Sequence, residues 1–472
     1  MKSITFSSRS LKKTIGAMTL CLVSLSSMGQ NAPSYPNTLT QEEKLFGLSK
    51  FWSEVKYNFV YLDQIGEEKW DSIYREYIKT VPQTKNDQEY FNELRRMCAL
   101  LKDGHTNIYY DDFQGITTFF SDFQWYLNDI DGKAIVTSIN EMSKKEIPIG
   151  TEIVKVNGMP TREFIEKYSL PLVSSSTDYV RWEQATQLML QSGRHESFDV
   201  ELLTPDKRIL KKHITHEIKE PVRSDPMYPK KEKRNLLDLK WYPGDIACVA
   251  LNSFGNDKIN QLFTDTFPEI KKRAKKLIID LRNNGGGSTD IGFNILKYLT
   301  PDSVLMGSCW STRVYSASHA AWGQFQEPKD TIGNDWAKKS FLTARKQYFE
   351  GDDADMNAID PKQERLVVPT VLLIGHHTAS AAEDFLILAD KQKHMVKIGQ
   401  HSFGSTGQPI MIDLVKGISA RICTKKDTYP DGRMFVGCGV KPDIEVTPTV
   451  QDLIDGKDRA LETALDYLKK QK

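Results

Sequence analysis

Residues 368–390 read VPTVLLIGHHTASAAEDFLILAD, and this stretch places one serine where a buried strand turns sharply into a helix. The apolar run Val368 to Ile374 predicts the strand, and Ala381 to Ala389 predicts an amphipathic helix with Leu386 and Leu388 on its inner face. Ser380 falls at the junction. The first N–H groups of a helix point outward unpaired, so an oxyanion formed on an attacked carbonyl would find donors at the backbone of Ser380 and Ala381. Ala379, Ala381 and Ala382 carry no bulk to block a substrate. A serine here also suits a plain N-cap, and this segment alone does not separate the two roles.

A second strand-to-turn junction lies at 276–288, KLIIDLRNNGGGS. Consecutive glycines let backbone N–H groups approach a ligand closely and adopt positive φ, so Gly285 and Gly286 suit the second arm of an oxyanion hole. A nucleotide phosphate loop is disfavoured, because no Gly-Lys-Ser/Thr follows and the GxGxxG spacing is missing.

Five motifs in order then carry a family resemblance: LLKDGHT at 100–106, DLRNNGGGS at 280–288, TASAAEDF at 378–385, FGSTGQ at 403–408 and GVKPDIEV at 439–446. Together they resemble the tail-specific (C-terminal processing) serine peptidases, in the branch that includes the catalytic core of the tricorn protease. The resemblance implies an α/β fold with a crotonase-like (ClpP/crotonase) core of ββα units, a PDZ-like domain and an N-terminal helical domain. It implies Ser380 as nucleophile and no metal or organic cofactor. It extends as well to retinoid-binding repeats of the photoreceptor matrix, so a non-catalytic binding protein on the same fold is the alternative reading.

The general base is the open question, since a serine hydroxyl needs one within hydrogen-bond reach. One branch of the family uses a lysine in an FGKG motif; here the motif reads Phe403-Gly404-Ser405-Thr406, and Ser405 stands in the lysine's place. The tricorn-like branch brings a histidine from the N-terminal region, and His105 in Asp103-Gly104-His105-Thr106 matches it. Such a base should fail as pH drops through about 6 to 7, the ordinary histidine range. Two positions depart from the tricorn-like pattern. Gly104 replaces a serine, and Val436 replaces a glutamate expected before the GV-PD motif. Ser405, Thr406 and Glu383 are the candidates left to orient His105. His376 and His377 read as turn residues, because side chains just before a turn-borne serine point along the strand end.

Composition fits this picture without proposing it. The 472 residues allow two or three domains, and 26% charged with 39% hydrophobic residues is ordinary for a globular protein. Lys2, Arg9, Lys12 and Lys13 precede the apolar stretch Ile15 to Leu25, which reads as a secretory signal cleaved after Gly29. That stretch is too short to span a bilayer, which takes roughly 20 apolar residues. The product is expected to be periplasmic or secreted, with no membrane span in the mature chain. Removing the signal leaves 59 Lys and Arg against 62 Asp and Glu. No basic stripe suits nucleic acid, and the charged run at 230–234 reads as a solvated link. The expected partner is a peptide or unfolded protein substrate.

The expected organisation is a signal at 1–29, a helical cap at 38–112 carrying the DGH motif, a PDZ-like domain at 113–220 and the protease core at 221–472. Within the second domain, Ile149 to Gly158 has the glycine-strand-Asn-Gly pattern of a tight turn. The connection from Leu299 to Val367 is long and aromatic, either a lid over Ser380 or an ordered excursion with a helix at Asp335 to Tyr348. Five cysteines remain in the mature chain, none at metal-ligand spacing. Cys423 and Cys438 flank Tyr429-Pro430-Asp431-Gly432. A two-residue loop would set them opposite each other, and a three-residue loop with left-handed Gly432 would turn them apart. The second geometry, with two free thiols, suits Pro-Asp-Gly better.

Overall fold

The computed structural model describes residues 36–111, 115–230 and 233–471. The signal-sequence expectation for 1–29 lies outside the described residues, as do Lys231 and Glu232 of the charged run. Among the described residues no helix is long and apolar enough to cross a membrane.

The N-terminal stretch is helical, as its periodicity predicts. Helices run Gln41–Asn58, Glu67–Thr80 and Asp87–Ala99. The first begins with a capping box: the Glu43 N–H donates to the Thr40 hydroxyl at 3.2 Å, and the Thr40 N–H donates to Glu43 Oε2 at 2.8 Å. The inner faces of these helices, with Leu48, Phe51, Trp70, Tyr90 and Leu94 buried, cover a three-stranded antiparallel sheet. Its strands are Asn107–Tyr110, Ile418–Ile422 and Ile410–Val415. This pairing has a functional consequence. Asn107 lies opposite Arg421, so the loop carrying His105, two residues earlier, is pinned to the far end of the chain.

A seven-stranded antiparallel sheet follows, with main strands Trp125–Ile130, Lys133–Asn140, Glu152–Val156, Ser197–Leu203 and Ile209–Thr215. The Asn157-Gly158 turn forms as the sequence predicts, both residues at positive φ (50° and 78°). The helix Asp178–Leu188 packs on this sheet through buried Ala185.

The remaining residues build a six-stranded sheet. Strands Ile246–Leu251, Lys276–Asp280, Thr370–Ile374, Met395–Gly399 and Ile444–Glu445 run parallel, and Leu237–Tyr242 closes one edge antiparallel. Parallel strands are covered on both faces. Here Leu277, Ile279, Leu372 and Ile374 pack under the helices Lys258–Arg273, Thr289–Leu296 and Ala381–Leu388. Ile278, Val371 and Leu373 point the other way, onto the helix Arg459–Lys470. Both sequence-predicted strands are present, the second starting at Thr370. The Ala381 helix is not amphipathic: every residue in it except Asp384 is buried. It lies between the sheet and its neighbours and has no solvent face.

The 299–367 connection is an ordered excursion. It contains the helices Ala317–Gly323 and Asp335–Ala344, the second ending short of Tyr348, and the strand pair Cys309–Arg313 with Phe349–Asp352. The 430–432 loop takes the three-residue form. The Tyr429 N–H donates to Arg433 O at 2.9 Å, and Gly432 has φ 83°. Cys423 is buried, Cys438 exposed and both are free.

Phe385 is fully buried against Phe254, with ring centroids 6.1 Å apart, and fixes the helix that starts at Ser380. Phe385→Ala should cost about 3–5 kcal/mol. Chemical denaturation showing a loss below about 1 kcal/mol would contradict this packing.

Candidate active site

The first element of the site is the turn at Ser380. The parallel strand Thr370–Ile374 ends in a turn tied down on all sides. Thr378 Oγ donates to Leu281 O at 2.9 Å, and the Ala379 N–H donates to Asn284 O at 3.0 Å. Ser380 itself sits at φ 56°, ψ −126°, a backbone region that is costly for any residue with a Cβ and persists only where its surroundings impose it. A strained strand-to-helix turn of this kind exposes a serine hydroxyl at the end of a sheet. The Ala381 N–H, first of its helix, has no intrahelical acceptor.

The glycine turn lies directly against it. Gly286 has φ 95°, and a Cβ there would fall 2.7 Å from Ser380 Cβ, 2.7 Å from Ala379 O and 2.9 Å from the Ala381 nitrogen. The two junctions read from sequence therefore meet. One detail differs from expectation: the Gly286 N–H donates to Asn284 Oδ1 at 2.9 Å. Asn284 is fully buried and also donates from Nδ2 to Leu251 O. It is a tie between the two arms that the sequence reading missed, although an asparagine beside a glycine run is a visible signal.

His105 arrives from the loop after the third helix, buried to 8% exposure. Its Nδ1 lies 2.7 Å from Ser405 Oγ. Of the three candidates to orient it, Ser405 is the one in contact. Thr406 Oγ donates instead to Asp427 Oδ2 at 2.7 Å. Glu383 does not touch the imidazole; it holds the loops. Its Oε1 accepts from Ser402 Oγ (2.6 Å) and the Gly404 N–H (2.7 Å), and its Oε2 accepts from the N–H groups of Ser380 and Ser405, each at 3.1 Å. Burial pushes this carboxyl up to about 8, against the pull of those four donors. Burial, with Arg421 and Lys425 nearby, also pushes His105 down, to about 4. A base lost at pH 6 to 7, as the ordinary histidine range implies, is therefore not what this environment gives.

The Gly104 departure also acquires a reason. A Cβ at residue 104 would lie 2.6 Å from Phe403 Cε1 and 3.0 Å from Ser405 Oγ, so glycine leaves the room that Ser405 uses to reach His105. The segment 174–177 clamps the same loops. Ser174 Oγ donates to Asp103 O (2.8 Å), the Gly104 N–H donates to Ser176 Oγ (2.9 Å), and Thr177 Oγ donates to Phe403 O (3.1 Å). No group of three or more His, Cys, Asp or Glu side chains among the described residues is arranged to hold a metal ion. Among the described residues, no hydrogen bond joins His105 directly to Ser380.

These contacts separate the two glycines. Gly286→Ala should destabilise the fold by about 1–3 kcal/mol through overpacking at positive φ, whereas Gly285→Ala, whose Cβ position is open, should melt close to the parent. Equal melting temperatures for the two variants would contradict the contact between the glycine turn and Ser380.

Comparison with known proteins agrees with this architecture. Residues 245–446 match the model of peptidase family S41. A probable CtpA-like serine protease of Staphylococcus aureus (strain COL) is 25% identical over 227 residues, covering 48% of this chain and 38% of the relative. The chloroplastic C-terminal processing peptidase of Tetradesmus obliquus is 25% identical over 210 residues, covering 44% and 36%. The chain thus spans little more than a third of the length of these curated relatives. Mature CPAF complexed with lactacystin superposes with a TM-score of 0.66 at 13% identity, over 91% of this chain and 98% of that one, a likeness of fold. With the five ordered motifs, these findings make residues 245–446 similar to peptidase family S41 and the chain similar in part to curated CtpA-like and C-terminal processing peptidases.

Proposed function

We propose that the protein is a serine peptidase that cleaves peptides or the C-terminal regions of unfolded proteins by acyl transfer. One observation carries the reading. The N–H groups of Ser380 and Ser405 share a single oxygen of Glu383, and the Ser405 hydroxyl holds His105. Nucleophile and imidazole are thereby tied through one carboxylate.

In this mechanism the Nδ1–H of His105 donates to Ser405 Oγ, which leaves Nε2 as the base. Ser380 Oγ attacks the scissile carbonyl carbon while Nε2 takes its proton. The carbonyl electron pair moves onto oxygen, stabilised by the Ala381 N–H and one glycine N–H. Gly286 can donate only by releasing Asn284, so Gly285 is the readier second donor. As the tetrahedral intermediate collapses, the C–N bond breaks and the leaving amine takes the proton from His105. Water, deprotonated by the same imidazole, then releases the acyl group and restores Ser380.

The seven-stranded sheet supports a peptide substrate. A cleft of about 390 Å³ there is lined by Val156, Met159, Phe164, Tyr168, Leu172 and Phe198, which suits a PDZ-like module reading an extended chain end. The ββα character of the six-stranded core and a periplasmic or secreted location belong to the same reading.

Mass mapping after exposure to a fluorophosphonate tests it. The adduct should fall on Ser380, and Ser380→Ala should abolish labelling. His105→Ala should slow it nearly as far, with the double variant little worse, because members of one catalytic unit are strongly non-additive. Absence of labelling in the intact protein would favour the non-catalytic binding protein instead. The labelling rate should hold from pH 7 to below pH 6 and fall only as pH approaches about 4, where His105 charges. An acid limb centred at the ordinary histidine range would contradict the buried base.

A further inference from the structure

His376 and His377, four and three residues before Ser380, are not idle turn residues. Both grip one carboxylate. Glu183, 8% exposed on the helix Asp178–Leu188, receives His376 Nδ1 on Oε2 at 2.9 Å and has His377 Nε2 3.1 Å from Oε1. Tyr179, one turn earlier, stacks on His376 with ring centroids 4.6 Å apart and planes 25° apart, and its hydroxyl donates to Ser402 O at 2.6 Å. Ser402 in turn donates to Glu383. One helix face of the seven-stranded region therefore holds both the turn that carries Ser380 and the loop that carries Ser405.

We infer that Glu183 is a positioning residue for the proposed reaction: by clamping His376 and His377 it fixes the strained turn at Ser380. The inference rests on the serine-peptidase reading for its catalytic consequence. A buried carboxylate is costly unless it is paired, and here each oxygen has its own imidazole partner. Strain at a non-glycine residue of positive φ persists only when the surroundings over-determine it, and this clamp is a contact that reaches the turn from the helix Asp178–Leu188.

The clamp opens onto water. It borders a cleft of about 460 Å³ lined in part by Asn128, Asp129, Arg234 and Asn283. The charged groups facing it are Asp129 from the strand Trp125–Ile130, Arg234 from the link, Arg282, which is held by Asp280 and Asp458, and Lys457 and Arg459 at the start of the helix Arg459–Lys470. Burial opposes the Glu183 charge, but hydrogen bonds from His376 and His377 hold the carboxyl down, to about 2. Glu183 raises His377, and the 60% exposure of that ring lets water screen part of the attraction. The sign follows. The attraction between Glu183 and a charged His377 is fully present below the ordinary histidine value near 6.5 and weakens as pH rises through the raised value of His377. The clamp thus sets an alkaline limit, opposite in direction to the acid limit set by His105.

Fluorophosphonate labelling of Ser380 in the full chain, followed with pH, tests this together with amide hydrogen exchange across 375–380. Glu183→Gln should slow labelling roughly ten- to a hundred-fold, the range expected of a small misplacement of a reacting group, and should abolish the alkaline decline. Exchange at 375–380 should rise. The His376→Gln/His377→Gln pair should act alike, and combining it with Glu183→Gln should add little. If Glu183→Gln does not fold, His377→Gln alone, at the exposed ring, should still remove the alkaline limb. Parent rates with a parent pH profile, or additive losses, would overturn the inference while leaving Ser380 labelled. If the parent protein is never labelled, the peptidase reading fails, and unchanged exchange in Glu183→Gln would then sink the clamp separately.

Discussion

The arrangement around Ser380 depends on the carboxyl of Glu383. Its side chain is completely buried and accepts four hydrogen bonds, from Ser380 and Ser405 on one oxygen and from Ser402 and Gly404 on the other. A buried carboxyl is tolerated only when its oxygens are hydrogen-bonded; burial still raises this one to about 8, and each of its four hydrogen bonds is structural. Two donors come from the 402–405 loop's backbone, one from its Ser402 hydroxyl and one from the Ser380 N–H. The geometry of the site is thus the solution to a solvation problem. The carboxyl needs donors, and supplying them brings a loop from residue 405 to within two hydrogen-bond lengths of the Ser380 backbone.

His105 is treated oppositely. Its partner is a hydroxyl, not a carboxylate, and Arg421 and Lys425 add positive charge nearby. A carboxylate partner would hold the imidazolium charge and raise the affinity for a proton. Ser405 fixes the ring's orientation without doing so. The result is a neutral imidazole over a wide pH range, which suits a base, at the cost of less stabilisation once the proton arrives. Arg421 contributes mechanically as well, since its Nη2 donates to Gly104 O at 3.0 Å and steadies the loop.

Much of this was legible in the sequence where the determinant is local. The Ser380 turn and the GGG arm each follow from adjacent residues at a strand end. The strands LIID and TVLLI were legible as apolar runs, although an all-round buried helix at Ala381–Leu388 reads as amphipathic when only its leucines are weighed. What could not be read is non-local. Ser405 and His105 are 300 positions apart, so neither spacing nor composition could choose Ser405 over Thr406 or Glu383. The choice is made by the Gly104 gap and by Glu383 pulling the Ser405 backbone inward. Glu183 is further still from any signal: DYVRWEQ is an ordinary helical segment, and its nearer partner, His376, lies 193 positions away.

A structure of the protein covalently phosphonylated at Ser380 tests the central claim most directly. The account predicts His105 Nε2 within about 3 Å of the modified Ser380 oxygen, its Nδ1 still on Ser405, and a phosphoryl oxygen accepting from the Ala381 N–H. A phosphoryl oxygen pointing away from Ala381, with His105 more than about 8 Å from Ser380 and far beyond hydrogen-bond reach, would contradict it.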